Sequence, residues 1–136
     1  MDYIDSNVFI YAVIYREDKE KKTEKAKEIL LQIEKQQLHA CTSTLTWDEF
    51  VWVVSKTLGK DDGITQGQKL LGFPNLDFIN VDETVIAQAQ KLMEKYGLAP
   101  RDSIHLACAL TRKASHIISD DEVFDKVKEI KRIPIT

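Results

Sequence analysis

The feature of this sequence that most limits its fold is a regular alternation of short apolar runs with longer segments of helical periodicity. Strands that alternate with helices in this way usually pair in parallel and carry helices on both faces. The sequence therefore predicts a single three-layer α/β/α domain over residues 1–136, with a central parallel sheet of four to five strands. The expected strands are residues 2–5, 39–43, 76–81 and 116–119, with a proline-limited edge strand at 133–135.

Local signals place the helices between these strands. Ser6 or Asn7 is suited to cap the first helix and Asp82 a later one, while Gly59 and Gly97 are natural helix ends. The segment from 100 to 113 is apolar nearly all round, which predicts a central, buried helix.

Three further helical segments are expected. Residues 16–28 are almost wholly charged and predict a loop that leads into a helix, and residues 120–130 predict a last helix. The apolar positions of the helix after the second strand recur at helical spacing, at Trp47, Val51, Val54 and Leu58.

Composition excludes several classes of protein. The net charge of −3, from 19 basic and 22 acidic residues, argues against a protein held to nucleic acid by a large basic surface. It does not exclude an enzyme that meets phosphates through divalent cations. No apolar run is long enough to cross a membrane and the N-terminus lacks a secretory signal, so a cytoplasmic protein is expected. Cys41 and Cys108 are far apart and predict free, buried thiols.

Several acidic residues adjoin the most apolar segments. Asp5 ends the first strand, and Asp120 and Asp121 directly follow the strand at 116–119. The carboxyl ends of parallel strands share one sheet edge, where ligands usually bind. Asp102 begins the buried helix and Glu49 lies near the start of another, so both are able to face that edge.

Clustered carboxylates repel one another unless a cation neutralises them. Oxygen-rich clusters select hard ions such as Mg²⁺ or Mn²⁺, which activate water and stabilise charge on a phosphodiester. The sequence contains no Walker A loop and no GxSxG, HExxH or GxGxxG motif. Taken singly, Asp5 and Asp102 are equally compatible with helix caps, and the acids at 120–122 with charges that favour the N-terminus of the last helix. Glu49 alone favours a solvated acid in the first turn of its helix.

Four segments, in order, resemble the PIN-domain nucleases, and most closely the VapC-type toxins of prokaryotic toxin–antitoxin pairs. The resemblance covers essentially the whole chain. The segments are Asp5-Ser6-Asn7 after the first strand, Glu49 within TSTLTWDEF, Asp102 within PRDSIHLACAL, and SDDEVF at 119–124.

The resemblance implies a ribonuclease that uses Mg²⁺ or Mn²⁺. Asp5, Glu49 and Asp102 would hold the main ion, and Asp121 would bind a second ion or orient water. The family pattern Ser/Thr-x-Asp-x-x-Phe selects Asp121 and leaves Asp120 as an extra neighbour.

The resemblance also implies supporting residues and partners. Ser6 and Asn7 would support the acids, and Ser119 would position Asp5 or a water. The expected partners are an RNA substrate, a second copy of the chain in a homodimer, and a VapB-like antitoxin. Such an antitoxin often sends a basic side chain into the acidic pocket, as carboxylate–guanidinium pairing favours.

Some residues keep two interpretations. His105, three residues after Asp102, is either a partner of the acids or a structural histidine, and the structural role is favoured. Arg101 either contacts substrate phosphate or is solvated, and the lysines at 19–27 either steer RNA or form a solvated helix face. The aromatic residues Tyr11, Tyr15, Trp47 and Trp52 either stack on bases or, as their helical spacing favours, pack in the core or an interface.

Two alternative functions stay open. The first is a housekeeping RNA-processing nuclease that has no antitoxin. The second is a non-catalytic binding module in which the acids only cap helices. A phosphotransfer receiver domain is disfavoured, because Asp2 lies too early in its strand to form the acidic pair that such a domain needs.

Overall fold

The computed structural model describes residues 1–14 and 21–135 and contains a five-stranded sheet in that part of the chain. All neighbouring strands are parallel, and their spatial order is β3-β2-β1-β4-β5. This confirms the predicted parallel sheet. The strands are β1 Asp2–Ile4, β2 Ala40–Ser43, β3 Leu76–Ile79, β4 His116–Ile118 and β5 Lys131–Ile133.

Six α-helices cover the two faces of this sheet in the described residues. No helix among them is both long and apolar enough to span a bilayer. The helices are α1 Ser6–Ile14, α2 Lys21–Glu34, α3 Thr44–Leu58, α4 Lys60–Leu71, α5 Glu83–Tyr96 and α6 Pro100–Thr111.

The alternation of side chains along the central strands creates two separate cores. Tyr3 and Ile117 point to the face that α5 and α6 cover, whereas Ile4 and Ile118 point to the face packed against α1 to α4. All four side chains are buried. The arrangement is the predicted three-layer α/β/α fold, with β1 in the middle of the sheet between β2 and β4.

Local signals define α5 as predicted. The Asp82 carboxylate accepts a hydrogen bond from the Val85 backbone N–H at 2.9 Å, which caps the helix. Gly97 ends α5 in the left-handed conformation that glycine adopts without a steric cost.

The buried face of α3 differs from the expected apolar stripe. Thr46, Phe50 and Val54 are buried, whereas Trp47 and Leu58 are 41% and 45% exposed. The helix packs on both α1 and α4, and its deepest side chains are those that point between these neighbours and the sheet.

The predicted last helix is wrong over most of its length. A short 3₁₀ helix spans Glu122–Lys126, and at Val127 the backbone returns to an extended conformation. Phe124, Val127 and Ile130 are all buried in the core. Phe124 lies in the 3₁₀ helix whereas Val127 and Ile130 follow it, so contacts with the core and not a continuous helix fix these three positions.

The remaining expectations are met in part. Cys41 and Cys108 are free and buried, and burial raises the pKa of each thiol to about 11. The edge strand lies at Lys131–Ile133, just before Pro134 instead of across it. Of the charged segment 16–28, α2 begins at Lys21, and the preceding part, together with Tyr15, lies outside the described residues.

Candidate metal centre

The acidic residues meet where the strand order changes direction. The chain runs outward from β1 to β2 and β3, then returns to place β4 on the other side of β1. Asp5 follows β1 directly and Ser119 follows β4, so both lie at the carboxyl edge beside this switch. A crevice at this position is the usual ligand site of an open α/β sheet.

Asp5 is held in place by its own neighbourhood. Its side chain accepts hydrogen bonds from the Ser6 backbone N–H at 2.7 Å and from the Ser119 hydroxyl at 2.6 Å. Asn7 Nδ2 lies 3.4 Å from the carboxylate and 3.2 Å from Ser119 Oγ. Asp5 is only 5% exposed, so these donors replace much of its lost hydration.

Glu49 lies on α3 and is connected to Asp5 through His105. Glu49 lies in the second turn of α3, and its Oε1 is 2.5 Å from His105 Nε2. The same nitrogen is 3.5 Å from Asp5 Oδ1. One ligand atom from each of these three residues lies within 4.8 Å of the others, close enough to surround one ion.

His105 is itself fixed from behind by Tyr3. The Tyr3 hydroxyl lies 2.6 Å from His105 Nδ1 and donates a hydrogen bond to Ser43 at 2.9 Å. The contacts of Nδ1 with Tyr3 and of Nε2 with Glu49 hold the imidazole ring from both sides. Burial lowers the pKa of His105, but the charge of Asp5 and the hydrogen bond to Glu49 outweigh it and raise the pKa overall.

The pKa of Glu49 shifts in the complementary direction. Burial raises its pKa, but the hydrogen bond and charge of His105 outweigh burial and bring the pKa below its usual value. A hydrogen bond from Ser6 and the charge of Arg101 act in the same sense. Glu49 is therefore an ionised carboxylate at neutral pH.

Asp102 shows the repulsion within the cluster most clearly. It lies in the first turn of α6, where Ala99 is the N-cap and Asp102 makes no capping hydrogen bond. Burial, followed by the charges of Asp121 and Asp5, raises the pKa of Asp102 to about 6. Asp102, Asp121 and Asp5 thus share one electrostatic environment in which an added cation is favoured.

The structure separates the two adjacent acids after β4. Asp121 accepts a hydrogen bond from the Val123 backbone N–H at 3.1 Å, and it is the carboxylate that most raises the pKa of Asp102. Asp120 accepts hydrogen bonds from Tyr11 and from Lys22, both at 2.8 Å. Asp121 therefore faces the other acids, whereas Asp120 is engaged with α1 and α2.

The contact between His105 and the acids goes against the structural role that the sequence favours. His105 is 1% exposed, as a structural histidine would be, yet one ring nitrogen contacts both Glu49 and Asp5. Its position three residues after Asp102 is the only sequence signal for this contact. Nothing local in the sequence indicates the roles of Tyr3 and Ser43.

The comparisons with known proteins agree with this geometry. Residues 3–130 match the family model described as PIN domain. The chain therefore belongs to the PIN-domain family of nucleases. Among curated proteins, none matches the sequence.

Solved structures share the fold at low sequence identity. A toxin–antitoxin complex from Klebsiella pneumoniae superposes with a TM-score of 0.71 at 17% identity, covering 100% of this chain and 98% of that chain. VapBC2 from Rickettsia felis, bound to a promoter DNA fragment, gives 0.70 at 17% identity over 98% of each chain. VapC20 from Mycobacterium tuberculosis, a toxin that cleaves the sarcin–ricin loop, gives 0.69 at 9% identity over 86% of this chain and 87% of that chain.

Proposed function

We propose that this protein is a metal-dependent ribonuclease that uses Mg²⁺ or Mn²⁺. The observation that supports it best is the ion-sized group of Asp5, Glu49 and His105, beside which burial and the charges of Asp121 and Asp5 raise the pKa of Asp102. A folded protein keeps several like charges together at a cost in stability, and a bound cation offsets that cost. Carboxylate oxygens form most of the donor set, which suits a hard divalent cation.

The carboxylates of Asp5, Glu49, Asp102 and Asp121 would hold the cation. When bound, a divalent ion supplies an activated water and charge stabilisation for phosphodiester hydrolysis. His105 belongs to the same ion-sized group, and because its Nε2 lies 2.5 Å from Glu49 Oε1 we assign it to holding that carboxylate in place. Ser119, Ser6 and Asn7 orient Asp5 through the hydrogen bonds described above.

The test of this activity is cleavage of single-stranded and structured RNA with added Mn²⁺. Asp5→Asn and Glu49→Gln are expected to lower the cleavage rate at least about 100-fold, because each removes a charge from the centre. Asp61→Asn and Glu94→Gln change exposed helical acids elsewhere and are the matched controls. Equal cleavage by all five proteins would indicate a contaminating nuclease and refute the assignment.

We further propose that the protein is the cytoplasmic toxin of a VapBC-type pair and forms a homodimer. Support comes from the neighbours of the same fold, which are described as toxin–antitoxin complexes. Co-expression with the product of an adjacent small gene should restore growth and inhibit RNA cleavage, and light scattering measures the oligomeric state. An RNA-processing role without an antitoxin would instead leave cells growing normally when the protein is expressed alone.

A further inference from the structure

A pocket of about 300 Å³ adjoins the acidic centre on the side of α1 and α3. Ser6 and Glu49 belong both to its wall and to the acidic centre. Trp52 and Asp48 from α3 and Arg101 from the start of α6 also line the pocket. Its volume is at the small end of the range of about 300–1,000 Å³ for ligand sites, which suits a single planar group.

The chemistry of this wall resembles that of sites for single-stranded nucleic acid. Trp52 is 62% exposed, an unusual position for so large an apolar ring. Lys56 Nζ lies 4.8 Å from the centre of the indole ring. Arg101 is the cation of the pocket wall itself, which also carries the acids Asp48 and Glu49. Exposed aromatic rings beside cations bind single strands by stacking on bases and attracting phosphates.

We propose that this pocket binds one nucleobase of an RNA strand, next to the phosphate that the acidic centre cleaves. Trp52 stacks on the base, and Arg101 contacts an adjacent phosphate. The proposal rests on the ribonuclease function, and it adds a binding residue outside the acidic cluster. Because Glu49 borders both sites, a base in the pocket and a phosphate at the acids belong to neighbouring nucleotides of one strand.

A second copy of the chain is the competing occupant of the exposed indole. The position of the pocket favours RNA, because its wall continues directly into the acidic centre and carries Arg101, whose charge complements phosphate.

The test compares RNA binding and cleavage by Trp52→Ala, Trp52→Phe and Trp47→Ala. Trp47 is the other tryptophan of α3, and it faces α4 outside the pocket. Trp52→Ala is expected to raise KM for a short single-stranded RNA about 5- to 100-fold, the usual loss on removing one stacking partner. The change in kcat should stay within about threefold. Trp52→Phe should recover most of the affinity, and Trp47→Ala should leave KM unchanged.

A set of oligonucleotides with one abasic site moved along the strand gives the sharper result. At one position, loss of the base should weaken binding to the wild-type protein but cause no further loss in Trp52→Ala. Binding is also measured with Asp5→Asn added to each protein, so that a loss of RNA binding at the pocket is distinguished from a loss of catalysis.

Two results would overturn the proposal. One is an abasic penalty of equal size in the wild type and in Trp52→Ala. The other is a Trp52→Ala protein that becomes monomeric while its affinity for RNA stays unchanged, because that would assign the indole to self-association.

Discussion

Replacing Asp102 with Asn is expected to stabilise the protein when no divalent cation is present. Burial and the charges of Asp121 and Asp5 raise the pKa of Asp102 from 3.8 to about 6. An acid with a raised pKa in the folded state binds protons more tightly there, so stability falls as the pH rises from about 4 to about 6. Above pH 6 the full cost of ionising Asp102 is present, and Asn removes it.

The size of the effect follows from this pKa. One pH unit corresponds to about 1.4 kcal/mol, which gives roughly 3 kcal/mol before solvent screening is considered. Asp102 is partly exposed, and screening reduces the figure, so we expect a gain of about 1–1.5 kcal/mol at pH 7.5. For a domain of this size the melting temperature should rise by about 3–6 °C.

The assay is thermal unfolding in EDTA at pH 7.5 and at pH 4, followed by the same scans with Mn²⁺. The gain of Asp102→Asn should be present at pH 7.5 and largely absent at pH 4. Added Mn²⁺ should stabilise the wild type more than the variant, since ligand binding to the folded state raises its stability. Asp61→Asn, a first-turn acid of α4, is the control for loss of a favourable helix-terminus charge. If Asp102→Asn is destabilised in EDTA at pH 7.5, as Asp61→Asn is expected to be, the electrostatic argument is refuted.

Three further predictions concern the same molecule. Asp121→Asn should reduce Mn²⁺-dependent RNA cleavage at least about 100-fold, whereas Asp120→Asn should change it less than about threefold; initial rates measure both. The Kd for Mn²⁺, from calorimetry, should rise about tenfold per pH unit below pH 6, where Asp102 takes up a proton. Gly63→Ala should cost about 1–3 kcal/mol in urea unfolding, because its Cβ would overlap Ser55, and Ser55→Ala should recover part of that loss.

The sequence contains enough information to predict the sheet and most helix ends. The short apolar runs have to be buried on both faces, which requires parallel strands covered by two layers of helices. Asp82 and Gly97 act through hydrogen bonds and backbone conformations within their own helix, so their roles are visible locally.

The features that the sequence does not reveal depend on contacts between distant segments. His105 contacts Tyr3 across 102 positions of the chain, and no local pattern encodes that pairing. The roles of Asp120 and Asp121 differ because Lys22, 98 residues before Asp120, binds only the first of them. The same holds for α3, whose buried face is set by the helices on either side of it.

The position of β4 beside β1 determines when the acidic centre is completed as the chain is synthesised. A chain made from its N-terminus has Asp5 and Glu49 long before it has residues 116–121. Until β4 inserts beside β1, Asp5 lacks Ser119, and Asp121 is absent. The acidic centre of a nascent chain is therefore incomplete until residues 116–121 have been made and β4 has paired with β1, and a product truncated before β4 lacks part of it.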